Sequence, residues 1–205
     1  LMAIKVDKAA YQAQVSNSGV IEADGGTVVM TASAADALLA TVVNNSGMVR
    51  ATGMVERNGE IVIEGGTAIN SGTLDVSSTV GTGGTVKMLG NNVGITGTGS
   101  IDASGAFGGG TILVGGDYQG KNPEVQNAQA TYVGKDTTIK ADATQNGDGG
   151  KVIVWADDTT RAYGSISAKG GANGGNGGFV ETSGHYLDVD GIKVDRLSVN
   201  TVDPL

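Results

Sequence analysis

A pair of adjacent glycines that leads directly into a short strand-like segment recurs along this chain, and it limits the possible folds more than any other feature. The clearest copies are GGKVIVW at residues 149–155 and GGFVET at residues 177–182. Further copies begin at residues 25, 83 and 109, and a weaker one, NGEIVI, covers residues 58–63. Units repeated every roughly 20 to 50 residues are typical of solenoids, in which each copy stacks on the previous one.

A second segment precedes each of these copies and has its own pattern. It contains an aliphatic residue followed two positions later by Ala or Val, which is expected for a strand with one face in a tight interior. The steps between successive aliphatic residues are 28, 25, 27, 38 and 27 residues. These residues are Ile21, Val49, Leu74, Ile101, Ile139 and Ile166. A third short segment closes each unit, at residues 42–44, 68–70, 93–95, 131–133, 161–163 and 186–189.

Three strand-like segments in a unit of about 27 residues predict an all-β fold, a right-handed parallel β-helix with short extra-helical insertions. In such a fold the same segment of successive coils stacks at about 4.8 Å. The aliphatic residues of the second segment then form one interior ladder. Another ladder is predicted from the residues that follow the glycine pairs, namely Val28, Ile61, Val86, Ile112, Val152 and Val180.

Departures from the repeat predict what lies outside the coils. Residues 1–17 are predicted to form the entry to the β-helix, as a strand followed by an α-helical turn that Asp7 caps. Helix-forming residues at 34–40 predict another helical turn. The 38-residue step predicts an extra-helical excursion at residues 115–136, which is either a plain insertion or a functional loop.

Composition and charge narrow the possible functions. The 205 residues include 36 glycines and only 2 prolines without a collagen-like period, so the glycines are interpreted as turns between strands. The net charge is −8 and the basic residues are scattered singly, which argues against nucleic acid and anionic membranes as partners. The sequence contains no apolar run of about 18 residues and no secretory signal. The absence of cysteine excludes disulfides and thiol-ligated metals.

Several blocks, taken together and in order, resemble a known family. They are AADALL at 34–39, VVNNSG at 42–47, VGGDYQG at 114–120, GKVIVWAD at 150–157 and GFVETSG at 178–184. This combination resembles the two-partner-secretion exoproteins of the filamentous-haemagglutinin and high-molecular-weight-adhesin type. The resemblance implies a non-catalytic, structural and adhesive shaft segment of a secreted or surface-exposed bacterial adhesin. It also implies export of the unfolded chain through an outer-membrane β-barrel transporter partner, and a glycan or protein receptor on a host or other cell surface.

One feature of that family has no match here. Its amino-terminal secretion domain carries an Asn-Pro-Asn-Gly-type motif, which this sequence lacks. Residues 1–205 are therefore interpreted as a single β-helical domain of a larger protein, from the segment just downstream of the secretion domain. Segments at residues 192–194 and 197–199 favour the start of another coil.

Aromatic and acidic residues near the irregular segments supply a candidate ligand site. Trp155 and Tyr163 are predicted to form a platform on which sugar rings stack, unless Trp155 packs beneath a loop between coils. Asp117 and Tyr118 lie in the predicted excursion, where a rigid scaffold would present them to a ligand. A carbohydrate-binding β-helix module is therefore the alternative to the shaft.

No catalytic residue, metal site or cofactor is predicted. Paired aspartates, a histidine and a later basic residue loosely follow the order of a polygalacturonase site, which keeps a polysaccharide-degrading enzyme as a third alternative. These residues are Asp157, Asp158, His185 and Arg196. However, adjacent aspartates on a strand point to opposite faces and are more natural in a turn. The single histidine cannot build a multi-histidine metal site, and the Gly- and Asn-rich run at 170–177 lacks the carboxylates that calcium needs.

Overall fold

Short strands separated by tight turns run through the described part of the chain, which in this computed structural model is residues 2–6, 13–32, 41–54 and 58–197. The strands are β1 (Met2–Val6), β2 (Ala13–Asn17), β3 (Val20–Glu22), β4 (Thr27–Ala32), β5 (Thr41–Asn45), β6 (Met48–Arg50), β7 (Glu60–Glu64), β8 (Thr67–Asn70), β9 (Thr73–Asp75), β10 (Thr85–Leu89), β11 (Asn92–Ile95), β12 (Ser100–Asp102), β13 (Thr111–Val114), β14 (Ala130–Val133), β15 (Thr138–Lys140), β16 (Lys151–Trp155), β17 (Thr159–Ala162), β18 (Ser165–Ser167), β19 (Phe179–Ser183), β20 (Tyr186–Asp188) and β21 (Lys193–Asp195). The one helical element in these ranges is a 3-10 turn at Tyr118–Gly120. No helix in the described residues has both the length and the apolar character needed to cross a bilayer.

Each strand pairs in parallel with the strand that comes three strands later in the chain, and this pairing produces three seven-stranded sheets. The first sheet contains β1, β4, β7, β10, β13, β16 and β19; the second contains β2, β5, β8, β11, β14, β17 and β20; the third contains β3, β6, β9, β12, β15, β18 and β21. Each coil takes one strand from each sheet, so the chain is a parallel β-solenoid of about six turns with about 28 residues per turn. This confirms the predicted β-helix with three strands per coil. The right-handed sense of coiling stays a prediction from the crossover rule.

Two interior ladders lie in the register that the sequence predicts. One follows the first sheet through Val28, Ile61, Val86, Ile112, Val152 and Val180. The other follows the third sheet through Ile21, Val49, Leu74, Ile101, Ile139 and Ile166. All members of the two ladders except Ile21 and Val180, which lie at opposite ends, are at most 1% exposed. Burying a side chain of this size contributes about 1.5–3 kcal/mol, so the ladders are a main source of stability.

The second sheet carries a polar ladder that sequence reasoning missed. Asn17 aligns with Asn45, and Asn45 aligns with Asn70. All three are buried, and each side-chain amide donates to the next side-chain carbonyl, at 2.8 Å for the first pair and 2.9 Å for the second. The Asn70 amide donates to the backbone carbonyls of Gly72 and Ser100 at 3.2 and 3.3 Å. The buried amides are thus hydrogen-bonded to one another and to the backbone, as burial requires.

The predicted third segment is one residue out of register in two coils. Asn45, not Asn44, aligns with Asn70, and residues 160–162 rather than 161–163 align with residues 131–133. A shift of one residue moves every side chain of a strand to the opposite face. At residues 42–45 the sequence did not decide between the two registers, because paired Val and paired Asn residues give similar patterns in both.

The first coil is part of the stack. β1 pairs with β4 and β2 pairs with β5, so the described parts of residues 1–17 belong to the β-helix itself. The helical turn predicted after Asp7 lies outside the described residues apart from Ala13, which begins β2. At the other end β21 pairs with β18, and residues 198–199 of the predicted next coil lie outside the described ranges.

Of the two predicted insertions, one is described. The helical turn predicted at residues 34–40 lies outside the described residues. The excursion predicted at residues 115–136 is shorter than expected, because β14 begins at Ala130 and pairs with both of its neighbours. Residues 115–129 are therefore called the insertion below.

Candidate functional site

The insertion is fastened to the outer face of the first sheet by two polar contacts. Asp117 forms a salt bridge with Lys151 of β16. The backbone N–H of Gln119 donates to Oε2 of Glu181 in β19 at 3.2 Å. Two adjacent strands of the sheet therefore hold the same short turn.

Tyr118 points toward solvent beside this anchor. Its ring packs edge-to-face against Phe179, with 5.5 Å between ring centroids, and both rings are nearly half exposed. Gln119 has a φ of 54°, in the left-handed region that favours glycine. Its side chain forms two local hydrogen bonds that offset the cost of this backbone conformation. The side-chain amide donates to the Tyr118 hydroxyl at 2.9 Å, and the side-chain carbonyl accepts from Lys121 at 2.6 Å.

The Asp117 carboxylate organises the start of the 3-10 turn. It accepts hydrogen bonds from the backbone N–H of Tyr118 at 2.7 Å and from the Asn122 side chain at 2.9 Å, in addition to Lys151. Burial opposes its ionisation, but these hydrogen bonds and the Lys151 charge outweigh that effect and lower the pKa of Asp117 to about 2. Asp117 is thus an ionised structural anchor whose oxygens are already engaged by the protein.

Trp155 lies beneath the insertion. An ideal Cβ placed on Gly116 or Gly120 would lie 2.7 Å from a ring atom of Trp155, so the backbone at these glycines lies directly against the indole. The indole N–H donates to Oδ1 of Asp157 at 2.9 Å, and the Asn127 side chain donates to the same oxygen at 2.9 Å. Of the two sequence-based interpretations, the geometry matches the one in which Trp155 packs under the loop.

The insertion also covers two apolar residues on the outer face of the first sheet. Leu113 and Ile153 occupy an outward-facing row that contains Val62, Lys87 and Glu181 in other coils. Although they face away from the interior, Leu113 is 3% exposed and Ile153 is 0% exposed, and neither belongs to the interior cluster. Small apolar clusters of this kind are common beneath long loops. Unbroken apolar runs in β13 and β16 were the sequence signal for it, since a strand covered on both faces loses its alternation.

Tyr163 belongs to a different part of the surface. It follows β17 of the second sheet and packs edge-to-face against Tyr132, with 6.0 Å between ring centroids. Its hydroxyl donates to Oδ2 of Asp188 at 2.8 Å; this hydrogen bond raises the pKa of Tyr163 and lowers the pKa of Asp188. Trp155 takes part in neither of the two aromatic pairs found among the described residues. The structure therefore brings Asp117, Tyr118 and Trp155 together at the insertion and separates Tyr163 from them.

The paired aspartates lie in the turn between β16 and β17, as the sequence predicts. Asp157 is engaged by Trp155 and Asn127, while the backbone carbonyl of Asp158 accepts from the Tyr186 N–H at 2.7 Å. Within the described ranges, no group of three or more His, Asp or Glu side chains is placed to hold a metal ion. The acidic turn therefore has a structural role in joining the insertion to β17.

The fold and the insertion define the described part of the chain as a parallel β-solenoid in which residues 115–129 form an excursion on the first sheet. The chain is similar to the secretion domain of HMW1 from Haemophilus influenzae, whose crystal structure superimposes with a TM-score of 0.74 at 31% sequence identity. The similarity covers 88% of this chain and 47% of that chain, so the similar region spans less than half the length of its solved neighbour. No protein-family model and no curated protein sequence matches the chain.

This similarity is consistent with a two-partner-secretion exoprotein, the type that the sequence blocks resemble. From the missing Asn-Pro-Asn-Gly-type motif, residues 1–205 were expected to lie just downstream of a secretion domain. The similar region instead lies within a chain described as a secretion domain, so the comparison does not support that placement.

Proposed function

We propose that this chain is a β-helical segment of a two-partner-secretion exoprotein and acts outside the bacterial cell as a non-catalytic structural shaft in adhesion. The observation that carries the proposal is 31% identity over 88% of the chain to the HMW1 secretion domain, on the same fold. In this proposal the chain passes unfolded through an outer-membrane transporter partner. A sequence without cysteine fits this route, since no disulfide can form before export.

The topology supports folding as the chain emerges. Each strand between the first and last described coils pairs with strands in the preceding and following coils, which lie about 28 residues away in sequence. Repeat proteins of this kind are stabilised by nearest-neighbour interfaces and can add one unit at a time. A coil that has left the transporter can therefore dock on the previous coil before the rest of the chain arrives.

The acidic residues favour a shaft over an enzyme. The Asp157 carboxylate accepts hydrogen bonds from Trp155 and Asn127, and its neighbour Asp158 lies in the same turn. Incubation of the purified chain with polygalacturonic acid is expected to release no reducing ends. Release that Asp157→Asn abolishes would contradict the non-catalytic proposal.

The export proposal is tested with a chimaera in which this chain replaces the similar region of the HMW1 secretion domain. The chimaera is expressed with and without a two-partner-secretion transporter for that domain, and material released into the medium is measured. We expect release that depends on the transporter. Retention of a chimaera that is soluble and protease-resistant when purified would overturn the proposal.

A matched pair of variants separates export from folding. Leu74→Asp places a charge in the interior ladder, whereas Thr73→Asp places one on the outward face next to it. We expect Leu74→Asp to reduce the released, protease-resistant product and Thr73→Asp to leave it unchanged. Equal release of both variants, with the Leu74→Asp product sensitive to protease, would show that β-helix folding is not part of the export step.

A further inference from the structure

A groove of about 670 Å³ lies at the corner between the second and third sheets, away from the residues that anchor the insertion. Its wall includes Tyr132, Tyr163, Asp188, Asp190, Lys135 and Lys193, which come from three successive coils. Nothing in the proposed shaft role requires a recess of this size with aromatic and charged walls.

The aromatic part of the groove is preorganised. Tyr132 is 42% exposed and packs edge-to-face against Tyr163, at an interplanar angle of 71°. The Tyr163 hydroxyl donates to one Asp188 oxygen at 2.8 Å, and the backbone N–H of Asp190 donates to the other at 3.2 Å. The Asp188 carboxylate is thus held in place, while each oxygen keeps capacity to accept another hydrogen bond.

A second recess continues from the first along the outer face of the second sheet. It has a volume of about 280 Å³ and also has Tyr132 in its wall. The outward row here runs through Ile69, Gly94, Tyr132, Arg161 and Asp188. Gly94 has no side chain, which leaves the strand surface beside Tyr132 open. Four strand spacings of about 4.8 Å make the row about 19 Å long, which suits an extended chain more than a single small molecule.

The charges along the two recesses balance. Lys135, Lys193 and Arg161 supply three positive charges, and Asp136, Asp188 and Asp190 supply three negative ones. In the described part of the chain none of these six residues forms a salt bridge. Their hydrogen-bond donors and acceptors therefore remain accessible to a ligand. Because the charges balance, they create no net field that would favour a polyanion or a polycation.

We propose that these two recesses form one binding groove for a neutral oligosaccharide. The exposed Tyr132 ring stacks on the apolar face of a sugar, and Asp188, held by Tyr163, accepts hydrogen bonds from sugar hydroxyls. Aromatic rings that present an apolar face beside polar groups suit such a ligand. The proposal goes beyond the shaft role, because a chain can act in export and projection with or without this groove.

The purified chain is titrated with maltohexaose, cellohexaose and chitohexaose, with a heparin hexasaccharide as the anionic comparison and a proline-rich peptide as the protein-like one. Binding is followed by saturation-transfer NMR and calorimetry. We expect saturable binding of at least one neutral oligosaccharide, with a dissociation constant between about 10 μM and 1 mM. Binding of heparin or of the peptide alone, or no binding up to about 10 mM, overturns the proposal.

Three variants locate the site. Tyr132→Ala removes the stacking ring and is expected to weaken binding about tenfold or more. Tyr163→Phe keeps its ring but releases Asp188, and a smaller loss is expected. Gly94→Thr fills the second recess without altering Tyr132 or Asp188, and it is also expected to weaken binding. Its Cβ has room because the nearest atom is 3.7 Å away.

Two matched controls complete the test. Tyr186→Ala and Tyr118→Ala remove exposed tyrosines that lie outside both recesses, and neither is expected to alter binding. Circular dichroism confirms that each variant is folded. If Tyr118→Ala weakens binding while Tyr132→Ala and Gly94→Thr do not, the ligand binds at the insertion and the groove is not the site.

Discussion

The side-chain amide of Asn45 donates to the side-chain carbonyl of Asn70 across 2.9 Å, and both residues are completely buried. A buried amide is costly unless it is hydrogen-bonded. Pairing shifted by one residue would turn Asn44 inward and separate Asn45 from Asn70. The amide ladder therefore opposes the register slip that the apolar pattern alone permits.

Asn45→Ala is the direct test of this ladder. It leaves the Asn17 donor and the Asn70 acceptor without their side-chain partner, and we expect a loss of about 2–3 kcal/mol in the free energy of unfolding. Asn44→Ala is the matched control, because Asn44 faces away from the interior and its side-chain oxygen, although buried, has no hydrogen-bond partner among the described residues that the substitution could remove. Urea denaturation should show a change within about 0.5 kcal/mol for the control. Equal losses for both variants would contradict a specific role for the ladder.

The insertion should loosen in acid because of Asp117. The pKa of this carboxyl is about 2 in the folded chain and about 3.9 in an unfolded one, so its ionised form stabilises the fold fully above about pH 4. That contribution, about 2 kcal/mol, is lost as the pH falls from about 4 to 2. Trp155 is the only tryptophan, and its emission should shift to the red over this range. In Asp117→Asn the shift should already be present at neutral pH, and in Lys151→Met it should begin at higher pH; an unchanged profile in both would contradict the anchor.

Gly120→Ala should separate the insertion from Trp155. Gly120 has a φ of +61°, and a Cβ there would lie 2.7 Å from the indole. Gly97→Ala is the matched control, since Gly97 has a φ of +57° with no atom within 4 Å of the added carbon. Both variants should lose about 1–2 kcal/mol from the left-handed conformation, but only Gly120→Ala should shift the Trp155 emission to the red. A red shift in both variants would show that the Trp155 emission responds to backbone strain at either glycine and not to loss of the contact between Gly120 and the ring.

Ile153→Lys should destabilise the chain much more than Val62→Lys. The two residues occupy the same outward-facing row, but Ile153 is buried beneath the insertion and Val62 is partly exposed. A lysine at position 153 would be buried without a partner, and we expect a loss of about 3 kcal/mol against about 0.5 kcal/mol at position 62. Urea midpoints measure both. Similar midpoints would mean that the insertion does not cover this row in solution.

Interior residues were predictable from the sequence. Val86 and Leu74 belong to ladders whose members recur at the coil spacing, and the structure places each in the register that the spacing indicates. The inference succeeds because each coil interacts mainly with its neighbours, so the spacing of apolar residues specifies which strands pair. The resemblance to two-partner-secretion exoproteins was likewise present in the order of the sequence blocks.

The candidate site depended on tertiary structure. The repeat indicates where the insertion leaves the coil but not which sheet it covers. The contact of the insertion with Trp155 and the burial of Ile153 therefore followed only from its path over β16. In the same way Tyr132 and Tyr163 meet because two coils stack in a register that the sequence pattern left ambiguous. Periodicity determines which strands are neighbours, because every coil repeats the same interior. The course of an insertion and the meeting of outward side chains are decided by contacts that do not repeat, and only the folded chain contains them.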